Sequence, residues 1–332
     1  MAITYLVFSL LSAACAVASA ERSAFVSESQ FSVWLTESRR IREARIKHFN
    51  MPDEKFTVAI TALTLPTLYP LVVATPMALE YADNVHKALR EQGVWAADET
   101  DLMLRITSKF CHHPSQRRLV LDVGSNIGYF ALLAAAQGCK AQAFDGSLVS
   151  LGYLHMSVAL NQFQDRVQIF PALVSNTSVV TFDGWNVNAK GTTSPPGVTT
   201  DVIRIDDVAK EPVLYAKVDV EGWEPSAFAT AHRLFTNPRT APWYLFFELT
   251  YYLHEVRTSN WEVFSLLAAT GYKCASRGLK VMLDQLPKSE DEFLQYIEKY
   301  TACTDQVRTN NKYCQDELFC VHNAAAWRPP GF

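Results

Sequence analysis

The sequence has no internal repeat, no low-complexity tract and no Cys-x2-Cys pair. The first two absences exclude solenoid and disordered architectures, and the third disfavours a structural zinc site. Neither sign of charge dominates: the net charge is −4, and the basic surface that nucleic acid requires is missing, so no nucleic-acid partner is expected. What is present is 332 residues, 49% of them hydrophobic, enough for one large α/β domain with extra segments or for two small domains.

The N-terminal end lacks charge of another kind. Residues 3–20 carry no charged side chain, and Ala18-Ser19-Ala20 is a small-x-small site ahead of Glu21-Arg22. Residues 1–20 therefore read as a signal peptide, with cleavage into the secretory pathway, to the outside or to the ER/Golgi lumen. The departure is an n-region without Lys or Arg. The alternative is an uncleaved signal anchor, since the run is just long enough to span a bilayer, and only then is a membrane partner expected. Of seven cysteines, Cys15 leaves with the signal, and Cys111, Cys139, Cys274, Cys303, Cys314 and Cys320 remain. Disulfides are expected where Cys303, Cys314 and Cys320 crowd together, with the pairing left open and free buried thiols as the alternative. Asn176-Thr177-Ser178 is a glycosylation sequon.

Residues 21–117 read as a helical N-terminal appendage. Phe31, Trp34, Leu35, Ser38 and Ile41 share one helical face, and Arg39, Arg40, Arg42, Arg45 and Lys47 occupy the solvated others. Pro66, Pro70 and Pro76 punctuate a loop-like stretch, and helices are predicted over 77–92 and 98–110. From residue 118 onward strand and helix patterns alternate. Strands are predicted at 119–123, 140–144, 167–170, 213–220, 244–249, 272–276 and 318–322. Helices fall at 127–137, 148–161, 225–235 and 261–270, and a side hairpin at 179–182 and 202–205 encloses the loop 184–199. Such alternation implies a mostly parallel sheet with helices on both faces. Ligands of such sheets sit beyond the carboxyl ends of the strands, near the switch in strand order. Residues 324–332 form a C-terminal tail.

Two constellations fall at those strand ends. The first is Leu121-Asp122-Val123-Gly124-Ser125-Asn126-Ile127-Gly128, a buried strand running into a glycine turn and a helix. Asp145 follows at the end of the next strand, where an acid can accept hydrogen bonds from ribose hydroxyls. The spacing is G-x-x-x-G and lacks the middle glycine of the pyrophosphate-binding G-x-G-x-x-G, which disfavours a nicotinamide dinucleotide. Two glycines behind an acid suit a smaller, cationic, adenosine-containing cofactor. The second constellation is Lys217-Val218-Asp219-Val220-Glu221-Gly222-Trp223-Glu224. Strand alternation puts Lys217, Asp219 and Glu221 on one side. Charges there cost free energy unless they are paired or functional. An ordinary helix cap explains Glu224 alone. Glu248 ends the following strand in the same way.

Residues 118–323 resemble the FkbM-type S-adenosylmethionine-dependent methyltransferases. The resemblance rests on LDVGSNIGYF, on the acid after the second strand with VALNQF beyond it, and on VIRIDDV, KVDVEGWE and FFEL. One departure is Asp145-Gly146, where the family commonly has Glu followed by Pro. The resemblance implies a Rossmann-like seven-stranded methyltransferase sheet and S-adenosylmethionine as cofactor. It implies Asp122, Gly124, Ser125, Asn126 and Gly128 around the methionine part, Asp145 on the ribose, and Ser175 or Asn176 near the adenine. It further implies methyl transfer to a hydroxyl of a glycan or other small molecule. Hydroxyls are poor nucleophiles, so a base helps. Asp219 is the first choice, with Glu248 and His254 behind it and Lys217 holding Asp219 ionised. Asp219, Glu221 and Glu248 are also hard oxygen ligands, so a divalent metal is an alternative to a metal-free site. The competing function is a non-catalytic secreted or cell-surface binding protein on a methyltransferase scaffold.

Overall fold

The computed structural model describes residues 56–61, 63, 71–76, 84–112, 117–177, 180–182, 187–188, 198–252, 260–277, 281–283, 285–300 and 313–329. The signal-like segment, the amphipathic stretch at 31–47, His254 and Cys303 lie outside them.

The N-terminal region is not purely helical. Strands β1 (Phe56–Ile60) and β2 (Val72–Pro76) pair antiparallel, and helices α1 (Asn84–Gln92) and α2 (Ala97–Phe110) follow. The prolines around β2 suggest a loop, but the strand is held from outside. Its Val72 and Ala74 N–H groups donate to Asn161 Oδ1 and Ser157 Oγ of the neighbouring helix, both at 2.9 Å. Helix side chains thus satisfy backbone donors that a lone pair of strands would leave open.

The sheet begins with β3 (Leu119–Val123), α3 (Tyr129–Ala136), β4 (Lys140–Asp145), α4 (Leu148–Asn161) and β5 (Val167–Pro171). Short strands come next: β6 (Leu173–Val174), β7 (Val180–Phe182), β8 (Val187–Asn188), β9 (Val198–Thr200) and β10 (Val202–Ile203). They do not form the single hairpin expected from the sequence. β7 pairs antiparallel with both β8 and β9, while β10 pairs parallel with β6. The chain continues through α5 (Ile205–Val208), β11 (Val213–Val218), α6 (Glu224–Thr230), α7 (His232–Thr236) and β12 (Tyr244–Tyr252). It closes with α8 (Asn260–Ala269), β13 (Tyr272–Ser276), β14 (Val281–Met282), α9 (Glu290–Tyr300) and β15 (Tyr313–His322).

The main sheet has the order β14-β13-β15-β12-β11-β3-β4-β5. All seven expected strands are there, and two-residue β14 adds an eighth at the edge. β3, β4, β5, β11 and β12 are mutually parallel, and β15 runs antiparallel between β12 and β13. This is the Rossmann-like methyltransferase arrangement. The chain moves outward from β3 to β5 and then returns to build outward from β11, so the switch in strand order lies between β3 and β11.

Alternation along the strands divides the core. Val120, Tyr215 and Phe246 face one layer, and Leu121, Ala216 and Phe247 the other. Every residue of α3 is buried, because α2 covers its outer side with Met103, Leu104, Ile106 and Phe110. An all-apolar helix demands such a cover. A disulfide between Cys111, the C-cap of α2, and Cys139, just before β4, ties the cover to the sheet. A second joins Cys274 of β13 to Cys320 of β15. Cys320 thus pairs across the sheet and not with the cysteines near it in sequence. No helix among the described residues is long and apolar enough to cross a membrane.

Candidate active site

β3 and β11 are hydrogen-bonded neighbours, so their carboxyl ends deliver both constellations to one place. Lys217 of β11 pairs in register with Asp122 of β3. Beyond β3 the chain turns with Gly124 at φ +77°, Asn126 at φ +49° and Gly128 at φ +74°. Gly124 and Ser125 N–H groups both donate to the Phe144 carbonyl at the end of β4, at 2.9 Å each. The glycines are needed for packing. A Cβ at Gly124 would overlap the Asp219 carbonyl oxygen, and one at Gly128 would overlap the Leu154 side chain of α4. Protein atoms occupy the side where each side chain would stand.

The acids divide by environment. Asp122 is 1% exposed. Its Oδ2 accepts from Ala131 N–H at 2.9 Å in the first turn of α3, and its Oδ1 is buried without a hydrogen-bond partner among the described residues. Burial pushes this carboxyl up to about 7, against the opposing pull of Lys217 and the Ala131 N–H. Asp145, half-buried, accepts from Asn126 N–H at 2.8 Å and from Ser147 N–H at 2.7 Å, and so clamps the glycine turn to the end of β4. Burial raises its pKa as well, with both N–H groups working in the other direction. Each carboxylate oxygen accepts more than one bond, so capacity for ribose hydroxyls remains.

β11 ends at Val218, which leaves Lys217 as the last charged group on the strand and Asp219 and Glu221 in the exit. Lys217 Nζ lies 2.7 Å from Asp219 Oδ2 and 5.1 Å from the Phe130 ring centroid. The Lys217 side chain is 6% exposed and that of Asp219 32%. Burial works against the Lys217 charge, but Asp219, Glu99 and Asp122 outweigh it and raise the pKa. Glu221 adopts φ +54° and is exposed, and its carboxyl is raised by partial desolvation and by the neighbouring Asp219. Asp219, Glu221 and Glu248 each bring one carboxylate oxygen within 4.8 Å of the others, the spacing of a small oxygen-ligand set. Glu248 does not end its strand as expected. β12 runs on to Tyr252, and Glu248 is the first residue past the pairing with β11, where only β15 accompanies it. Glu224 opens α6 but does not cap it as the sequence suggests: its Oε1 accepts from Val220 and Gly222 N–H at 3.1 and 3.2 Å, in the turn before the helix.

Ser175 and Asn176 stand further along, after β6. Ser175 is buried, and Asn176 Oδ1 accepts from Ser226 Oγ of α6 at 2.9 Å. His155 is exposed on α4, and His112 is exposed after α2. Sequence reasoning missed Glu99 of α2, which is 2% exposed and electrostatically coupled to Lys217 and Asp219.

One buried ammonium thus pairs with Asp219 and stands in register beside Asp122. Residues 122–274 match the profile of the methyltransferase FkbM domain. This stretch is an FkbM-type, S-adenosylmethionine-dependent methyltransferase domain. No curated protein matches the chain. Solved structures of similar fold include a SAM-dependent methyltransferase from Agrobacterium tumefaciens, 12% identical, covering 77% of this chain and 70% of that one, with a TM-score of 0.37. An O-methyltransferase from Bacillus cereus in complex with SAH is 12% identical over 70% and 84% of the two chains, with a TM-score of 0.35. An rRNA methylase from Streptococcus thermophilus is 9% identical over 67% and 94%, with a TM-score of 0.37.

The buried acids Asp122 and Glu99 give stability a definite pH dependence. The fold holds the Asp122 and Glu99 protons more tightly than the unfolded chain does. Their contribution is complete below the unfolded values of 3.8 and 4.5 and is lost as pH rises through about 7 and about 8. The melting temperature is therefore expected to fall between about pH 5 and pH 8.5, and Asp122→Asn should flatten the fall. Melting curves across that range check it; a rising melting temperature would contradict it.

Proposed function

We propose that this chain is an O-methyltransferase that moves the methyl group of S-adenosylmethionine to a hydroxyl of a glycan or other small-molecule acceptor. The observation that carries the reading is the Lys217–Asp219 pair, a buried cation holding a partly exposed carboxylate where the two constellations meet. S-adenosylmethionine supplies an electrophilic methyl carbon on a positively charged sulfur. Asp122 and the turn from Gly124 through Ser125 and Asn126 to Gly128 would hold its methionine part. Asp145 would hold the ribose, and Asn176 lies on the side assigned to the adenine.

Asp219 accepts the proton of the acceptor hydroxyl, and Lys217, 2.7 Å away, orients that carboxylate. Glu248, on the next strand, is positioned to orient the acceptor. Holding oxygen and methyl in line supplies much of the acceleration. Asp219, Glu221 and Glu248 would hold a divalent cation if one bound. The metal-free reading is preferred because Lys217 already neutralises Asp219. A secretory location is supported by the signal-like N-terminus and fits the two disulfides.

Calorimetric titration with S-adenosylmethionine tests the cofactor half of the reading. Asp145→Ala should raise Kd about tenfold or more, the worth of a hydrogen bond to a charged group. Absence of binding to the parent chain at millimolar cofactor would leave only a non-catalytic scaffold.

A further inference from the structure

Asn176-Thr177-Ser178 is the one Asn-x-Ser/Thr triplet in the chain, and nothing in the transfer reaction calls for its spacing. Such a triplet can carry an N-linked glycan in the folded protein only where the asparagine amide stays in water. Here it does. Asn176 and Thr177 are exposed directly after β6, although Ser175 before them and Ser226 of α6, which holds them, are only 3% and 1% exposed.

Hydroxyl groups orient that amide. Ser226 Oγ donates to Asn176 Oδ1 at 2.9 Å and accepts from the Asn176 backbone N–H at 3.1 Å. Its single proton is thereby used, so Ser175 Oγ, 3.1 Å away, donates to Ser226. Ser175 in turn accepts from the Thr177 backbone N–H at 3.2 Å and from Thr177 Oγ1 at 2.9 Å. The run of bonds ends on Oδ1 and turns it toward the fold. Nδ2, the atom to which a glycan is joined, has no hydrogen-bond partner among the described residues. Substitution there breaks no bond of the fold. The product is still an amide, so Oδ1 keeps its acceptor role toward Ser226.

We propose that Asn176 is a modification site: its Nδ2 carries an N-linked glycan, added in the oxidising lumen through which the chain passes. The inference rests on the secretory reading, which the Cys111–Cys139 and Cys274–Cys320 disulfides support independently of the N-terminus. The donor is a lipid-linked diphospho-oligosaccharide. Nδ2 forms a bond to C1 of the reducing-end sugar, and the bond from C1 to the diphosphate oxygen breaks. The lipid diphosphate leaves with the electron pair, and one Nδ2 proton passes to solvent. With Oδ1 held by Ser226, the sugar leaves the fold on the solvent side of the loop after β6.

The test is expression of the full chain in a eukaryotic host that glycosylates secreted proteins. An amidase that releases N-linked glycans, used in oxygen-18 water, should raise the gel mobility of the chain and leave oxygen-18 aspartate at position 176 by peptide mass spectrometry. Ser178→Ala removes the triplet while Asn176 keeps its bonds to Ser226, so this variant should run at the deglycosylated position without treatment. An unmodified Asn176 in a chain whose disulfides have formed would overturn the proposal, as would a parent-like mobility shift in Ser178→Ala. Free thiols at Cys111, Cys139, Cys274 and Cys320 would instead mark a chain that never reached the lumen, and the secretory reading would fall together with the proposal. Failure of the methyltransferase reading is separable, because it would appear as no binding of S-adenosylmethionine to the Ser178→Ala chain and the parent alike, whatever position 176 carries.

Discussion

Asp219→Asn is expected to lower kcat by a factor of about 10² to 10⁴, the usual worth of a positioned general base. Binding of S-adenosylmethionine should stay within about threefold of the parent, because the substitution leaves a side chain of the same shape and does not touch the Asp145 clamp. Three observations single out Asp219. It is the partly exposed carboxylate nearest the end of β11, its Oδ2 is 2.7 Å from a buried ammonium, and its carbonyl stands against Gly124 in the glycine turn. Glu221 is exposed, and Glu248 lies one strand further out. Transfer of an isotope-labelled methyl group to a cell-surface glycan extract, followed by mass spectrometry, provides the rate. Undiminished labelling by Asp219→Asn would remove it from the base role.

Gly124→Ala should do the opposite: damage the fold first and binding with it. Two penalties add. The backbone at φ +77° is one that side chains rarely adopt, at about 1–3 kcal/mol. A Cβ would also overlap the backbone oxygen of Asp219, which a rotamer change cannot relieve, and overpacking of that kind costs about 1–3 kcal/mol. The sum corresponds to a melting temperature lower by roughly 10 °C for a domain of this size. The displaced Asp219 carbonyl would also disturb the base, so residual activity should fall even where the protein remains folded. Melting curves and calorimetry read the two effects. A melting temperature unchanged from the parent would mean that the turn is not packed as described.

Much of this site was legible before any coordinates. Lys217 and Asp219 announced themselves because charges at the end of an apolar strand are expensive, and the expense has a visible reason in their mutual pairing. Asp145 was legible through its place at the end of the second strand. The clamp it makes on Asn126 and Ser147 was not, since backbone donors leave no mark in a sequence. The two glycines were legible as a turn, but the packing that demands them was not. Local sequence cannot tell space kept for a ligand from space taken by Asp219 and Leu154. Glu99 was invisible because an acid in a helix's first turn is commonplace. Its burial comes from α2 lying over α3, a contact between segments far apart in the chain. The same holds for β2, whose pairing depends on Ser157 and Asn161 of a helix that follows it by some eighty positions.

The central claim is that the nucleoside cofactor sits across the carboxyl ends of β3 and β4, beside the pair on β11. A crystal structure of the chain with S-adenosylhomocysteine tests this most directly. The account predicts ribose hydroxyls within hydrogen-bond distance of Asp145, with the sulfur turned toward Lys217 and Asp219. A nucleoside bound elsewhere, with side chains filling the space between the Gly124 turn and Asp145, would contradict it.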